Sequence, residues 1–232
     1  MGTILHSCAD FIIADKPHGI PTVPLKNRDM EGTLLALVAA ECPDILSVEG
    51  RNPWEYGTLH RLDTATSGLV VFARTQEAYA YLSDIQEKDL MEKTYRAVVT
   101  RGDRLRGFDR PDSKTFTITS YFRSYGPKSR EVRPTQDIRR ADTPVLYTTR
   151  VADCGDNMMH CTITRGFRHQ IRAHLAWAGL PIVGDPIYGT DPGTAGTPSG
   201  TPAVTPACTL ELDCFRVSFP LPDNTLFRFS KR

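Results

Sequence analysis

The sequence predicts an α+β fold. Strand-like runs follow one another along most of the chain and helical stretches are few. Hydrophobic residues at 40% and charged residues at 24% describe an ordinary globular protein with enough apolar side chains for a core. A length of 232 residues allows one large domain or two small ones.

Phe11-Ile12-Ile13-Ala14 reads as the first strand, and Asp15 to Pro21, with Pro17 and Gly19, as the turn that ends it. Thr33 is placed to cap a helix through Leu34, Leu37 and Val38, which Pro43 stops. Asn52 to Thr58 is a loop. It leads to His60-Arg61-Leu62-Asp63-Thr64-Ala65-Thr66-Ser67-Gly68, a polar run that passes directly into Leu69-Val70-Val71-Phe72-Ala73. That apolar run has strand length and a β-branched, aromatic character, so it predicts a strand buried on both faces. Asp63 then sits in a loop at the mouth of the core. Such a carboxylate can be a turn residue, or it can be held by a rigid scaffold for a ligand.

Thr75 starts a second helix with Ala78, Tyr81, Leu82 and Ile85 on one side. Lys93 to Val99 alternates as a strand with Tyr95, Ala97 and Val99 on one face. Further strands are expected at Thr115–Thr119 and Val145–Thr149, with a basic, Pro-containing loop between them, and at His160–Thr164. Arg168 to Ala178 follows as a helix with Gly179 as its C-cap and Pro181 beyond. Residues 189–207 are almost only Gly, Thr, Pro, Ala and Ser, which predicts a flexible surface loop within a single domain of residues 1–232. Strand-like alternation resumes from Leu210 to Phe219.

No apolar run approaches the roughly 18 residues of a membrane span, and no secretory signal is visible. The six cysteines are scattered without a Cys-x-x-Cys pair, so the expectation is a reduced cytoplasm and no zinc. His169 and His174 are separated by roughly 500° of helical rotation, which argues against a shared metal. Net charge is only +1, but basic residues gather in two places. Arg123, Lys128, Arg130, Arg133, Arg139 and Arg140 form one cluster, and Arg165, Arg168, His169, Arg172 and His174 the other. The first suits a solvated face. The second is interleaved with apolar residues that must pack.

His60-Arg61-Leu62-Asp63-x-x-Thr66-Ser67-Gly68-Leu69 resembles the signature of the RluA-type pseudouridine synthases. The resemblance extends in order through Lys16-Pro17, Lys93-x-Tyr95, His169-Gln170-Ile171-Arg172-Ala173-His174-Leu175 and Pro181 to Gly189. It implies a mixed, mostly antiparallel sheet flanked by helices and loops, with a catalytic cleft across its middle. It further implies an isomerase that converts specific uridines of ribosomal or transfer RNA to pseudouridine.

That reaction breaks a ribose–uracil N1 bond, rotates the base and rejoins it through carbon 5. No redox change or net hydrolysis occurs, so neither cofactor nor metal is expected. By resemblance Asp63 is the catalytic carboxylate, Arg172 the cation that pairs with it, and Tyr95 the ring that stacks on the target base. An arginine suits that pairing because it keeps its charge and can bind both carboxylate oxygens. A flipped uracil needs an aromatic face to replace its neighbours. Arg61 is expected to fill the gap left in the RNA stack, and His60 to support the loop. Arg165, Arg168 and His169 complete the expected RNA contacts.

One departure stands out. The family usually reads Gly-Arg-x-His-Gln, whereas Phe167 occupies that arginine position here, leaving the task to Arg168 or Arg165. With no separate RNA-binding domain ahead of the catalytic region, target choice is expected to come from the catalytic domain itself, acting as a monomer without a protein partner. The alternative is a non-catalytic RNA-binding or folding factor on the same scaffold. A glycosidase is disfavoured because no second acid stands near Asp63 in the motif.

Overall fold

The computed structural model describes residues 3–26, 28–100, 108, 111–189 and 209–231. The expected flexible loop at 189–207 lies outside the described residues apart from Gly189. The chain divides into two compact units, Met1–Thr94 with Asp213–Arg232, and Tyr95–Leu212. Sequence order gives no sign of this division, because a late strand returns to the first unit.

In the first unit β1 (Ile4–Ser7), β2 (Phe11–Lys16), β3 (Ser67–Ala73) and β9 (Leu212–Pro220) lie in the order β1-β2-β3-β9, and β10 (Leu226–Ser230) pairs with β9. All these pairings are antiparallel except β3 with β9. Every residue of β3 is buried, as its unbroken apolar run requires. Gly68 permits the parallel contact: its φ is +120°, and a Cβ there would lie 2.4 Å from the backbone N and O of Cys214. Helix α1 (Leu34–Glu41) starts where Thr33 accepts a hydrogen bond from the Ala36 amide, and Pro43 opens a 3-10 turn beyond its end. Helix α2 (Gln76–Glu87) is capped in the same way by Thr75, with Ala78, Leu82 and Ile85 buried.

In the second unit the order is β4-β8-β7-β5-β6, where β4 is Glu92–Val98, β5 Thr115–Tyr125, β6 Glu131–Thr135, β7 Tyr147–Asp153 and β8 Met158–Ile163. The β5–β6, β5–β7 and β7–β8 pairings are antiparallel. Helix α3 (Gln170–Trp177) has all eight residues buried. His174 carries it onto the sheet: its ring nitrogens meet Ser120 Oγ of β5 at 2.9 Å and Thr149 Oγ1 of β7 at 2.8 Å. Gly179, at φ +72°, ends the helix with amide bonds from Gly179 to Ala176 O and from Leu180 to Leu175 O.

Two expectations need correction. The basic stretch between the second-unit strands is not all loop, since β6 lies within it. Pro134 is accommodated because β6 is at the edge of the sheet, where a missing amide costs little. The third helix starts at Gln170 rather than Arg168, because His169 takes a left-handed conformation at φ +56°. Phe167 and Gln170 cap the start reciprocally: the Phe167 amide donates to Gln170 Oε1 and the Gln170 amide to Phe167 O.

Candidate active site

Asp63 opens a tight turn in which the Thr66 amide donates to Asp63 O. The preceding turn of the chain, 16–22, lashes this loop down. Thr22 Oγ1 donates to Leu62 O and accepts from the Leu62 amide, both at 3.0 Å. The Gly19 amide donates to Thr64 O, and His18 Nδ1 donates to Ala65 O at 2.8 Å. Lys16 is wholly buried, and its Nζ donates to the carbonyls of Pro17, Ile20 and Thr64 at 2.8–3.2 Å. All three of its donors are used on backbone. Burial pushes the Lys16 ammonium down to about 8, although the Asp63 and Asp15 carboxylates favour its charge. The Asp63 loop therefore sits on a buried cation.

His60 and Arg61 flank the same loop. His60 Nε2 accepts the Val71 amide of β3 at 3.3 Å, and its Nδ1 is buried without a hydrogen-bonding partner among the described residues. Burial, with Lys93 nearby, holds this imidazole well below its ordinary pKa, so it is neutral. That environment suits a loop support. Arg61 is largely exposed, and its Nη1 meets Glu55 Oε1 at 2.6 Å. Glu55 is itself buried and also accepts from Asn52 Nδ2 at 2.9 Å.

The other predicted site residues belong to the second unit. Tyr95 and Ala97 are buried on β4 and Val99 just beyond its end, as the alternation predicts. Arg172, in the middle of α3, is also buried. Its Nε and Nη2 bind Asp185 Oδ2 and Oδ1 at 2.7 and 2.8 Å, a bidentate pair. Burial alone would raise the Asp185 pKa. The Arg172 guanidinium and the amides of Ile187 and Tyr188 instead hold it below the usual carboxylate range. Tyr188 extends the network: its hydroxyl accepts the Val132 amide at 2.8 Å and meets His169 Nδ1 at 3.1 Å.

Arg165 and Arg168 are exposed. The Arg168 Nη2 donates to the carbonyls of Ser129 and Glu131. Phe167 turns inward and stacks on Phe122 with centroids 5.0 Å apart and planes within 4°. An arginine at that position would carry a charge into this partly buried aromatic cluster, so the departure from the family pattern has a packing consequence.

Four supporting residues escaped the sequence reading: Lys16, Thr22, Glu55 and Asp185. Lys16 and Asp185 left a signal, since both lie within motifs of the resemblance, Lys16-Pro17 and Pro181 to Gly189. Among the described residues no group of three or more His, Cys, Asp or Glu side chains is placed to hold a metal ion.

Residues 10–177 match the RNA pseudouridylate synthase family. The chain belongs to that family. Similar proteins include the ribosomal large subunit pseudouridine synthase D of Nitrosomonas europaea, 30% identical over 195 residues, 83% of this chain and 52% of that one. A Chloroflexus aurantiacus protein named as an uncharacterised RNA pseudouridine synthase is 35% identical over 181 residues, 75% of this chain and 51% of its own. The chain thus spans about half the length of these relatives. The structure of human RNA pseudouridylate synthase domain containing 1 aligns with a TM-score of 0.67 at 19% identity, covering 99% of this chain and 82% of that one. The architecture is that of the α+β pseudouridine synthase fold, with an RluA-type signature.

Proposed function

We propose that this protein isomerises uridine to pseudouridine in RNA, with Asp63 as the catalytic carboxylate. The observation that carries the proposal is the Asp63 turn, braced by five contacts from the 16–22 segment, in a chain of the pseudouridylate synthase family. A braced loop holds a carboxylate at a fixed point, as chemistry at one ribose carbon demands.

In this reading the glycosidic bond from ribose C1′ to uracil N1 breaks with Asp63 engaging the sugar, as nucleophile or as base. The uracil rotates, C5 bonds to C1′, the C5 proton leaves and N1 regains a proton. Tyr95 supplies the stacking face for the displaced base, and Arg172 the positive charge for the Asp63 carboxylate. Arg61 fills the vacated place in the RNA, with Arg165, Arg168 and His169 on its backbone and His60 supporting the loop. No cofactor or metal takes part, and the protein works in the cytoplasm as a monomer. The substrate is ribosomal or transfer RNA, and the name of the Nitrosomonas europaea relative favours the large ribosomal RNA.

The test is tritium release from RNA labelled at uridine C5. Total RNA from a strain lacking the gene should release tritium with the wild-type protein and none with Asp63→Asn. Absence of release with the wild-type protein, or full release with Asp63→Asn, sinks the proposal. Free uracil among the products would point to a nucleosidase instead.

A further inference from the structure

The β5–β6 hairpin, in the second unit, carries more positive charge than its own acids balance. From Arg123 to Arg133 it holds Arg123, Lys128, Arg130 and Arg133 against Glu131 alone, in a chain whose net charge is only +1. Glu131 is taken by Arg133 at 2.9 Å. Asp137, just beyond, is taken by Arg139 and Arg140. Among the described residues Arg123, Lys128 and Arg130 have no acidic partner.

The register adds a second observation. Arg123 lies directly opposite Arg133, and Tyr125 opposite Glu131, so the four side chains share one face of the ribbon. Like charges placed directly across a strand pair destabilise it. Tyr125 sits beside both: the Arg133 guanidinium lies 3.2 Å and that of Arg123 5.7 Å from its ring centroid, and the residue stays 42% exposed. A partly exposed aromatic ring beside guanidiniums at a surface is a stacking platform within a cationic field.

The third observation is rigidity. Arg168 grips the tip through the carbonyls of Ser129 and Glu131, Tyr188 takes the Val132 amide, and Ser124 binds Asp142 through both its amide and its hydroxyl at 2.7 Å. Gly126, Lys128 and Ser129 all have positive φ, which fixes the tip in a tight turn that presents Lys128 to solvent. A merely solvated charge run needs none of this bracing.

We propose that the β5–β6 hairpin is an RNA-docking arm, in which Tyr125 stacks on an unpaired base while Arg123, Lys128 and Arg130 bind the flanking phosphates. It deepens the isomerase reading, on which the choice of RNA rests, by adding a contact surface outside the Asp63, Tyr95 and Arg172 set. Charge complementarity and the exposed ring together select single-stranded or looped RNA over an acidic protein.

The full-length protein is titrated, by fluorescence anisotropy, against a labelled single-stranded RNA of about twenty nucleotides over a series of salt concentrations. Arg123→Gln/Lys128→Gln/Arg130→Gln should weaken binding by about tenfold or more at low salt. The log–log salt dependence should become shallower by about two, the value for three lost contacts to single-stranded RNA. Tyr125→Leu should weaken binding about tenfold, and Tyr125→Phe should stay near wild type. The arm is overturned if the triple variant keeps the wild-type affinity and salt slope, or if Tyr125→Leu binds as Tyr125→Phe does. It is also overturned if polyglutamate of matched charge competes as well as unlabelled RNA. Binding needs no turnover, so wild-type protein that binds RNA through the arm yet releases no tritium would refute the isomerase reading alone.

Discussion

Arg172 and Asp185 are both buried, and their contact is a bidentate, desolvated ion pair. Removing one partner of such a pair leaves a bare charge in the protein interior. Asp185→Ala should therefore cost about 3–5 kcal/mol in urea denaturation. Arg172→Lys, which keeps charge but cannot bind both oxygens, should recover only part of what Arg172→Ala loses. A loss below about 1 kcal/mol in Asp185→Ala would show that the pair carries little. The sequence singled out Arg172 as an arginine that binds a carboxylate, and by resemblance assigned it to Asp63. Nothing in the residue pattern marked Asp185 as a partner, since an aspartate between Gly184 and Pro186 reads as turn chemistry.

At the scale of elements, the loop bearing Asp63 is fixed at both ends, by the 16–22 turn on one side and by β3 on the other. The crossing of β3 and β9 depends on the absence of a side chain at Gly68. Gly68→Ala would push a methyl into the Cys214 backbone at a φ that L-residues avoid, with a cost on the order of 3 kcal/mol. Its thermal unfolding should fall by several degrees, and tritium release with it. An unchanged melting point would mean that β9 can shift away freely. The run Leu69 to Ala73 made β3 plain in the sequence, because five consecutive apolar residues leave no polar alternation to confuse it. By contrast β6 was hidden by Pro134 and its charges, which an edge strand tolerates and an interior strand does not. The start of α3 was hidden because the left-handed backbone of His169 has no residue-level signature.

Across the whole molecule, buried titratable groups set how stability depends on pH. Burial pushes His174 down to about 3 and holds His60 well below its ordinary value. The unfolded chain takes up these protons near pH 6.5 while the folded one resists, so stability is lost as pH falls below that point, by at most about 1.4 kcal/mol per pH unit for each group. Lys16 and Lys93 are both pushed down to about 8 by burial. Between about pH 8 and 10.5 the unfolded chain holds protons that the folded chain has released, so their contribution to stability rises over that window. Lys231 opposes this. Its ammonium meets Asp15 and Asp213 at 2.6 and 2.7 Å, its pKa is raised despite burial, and its contribution disappears as pH passes above 10.5. Urea denaturation should show stability increasing from acid to neutral pH and again up to about pH 10. His174→Asn should flatten the acid limb and Lys16→Met the alkaline one. Limbs that persist unchanged in these variants would assign them to other groups.

The sequence by itself determined the α+β class, the buried strand β3, both threonine-capped helices and the family, because periodicity, capping and an ordered set of motifs are properties of neighbouring residues. Only the tertiary structure decided that Lys16 is a buried cation beneath the Asp63 loop, that Asp185 takes two nitrogens of Arg172, and that Tyr125 stands among guanidiniums on a braced hairpin. Those facts depend on which distant segments meet and on how much water is excluded where they do, and neither is written in local residue order.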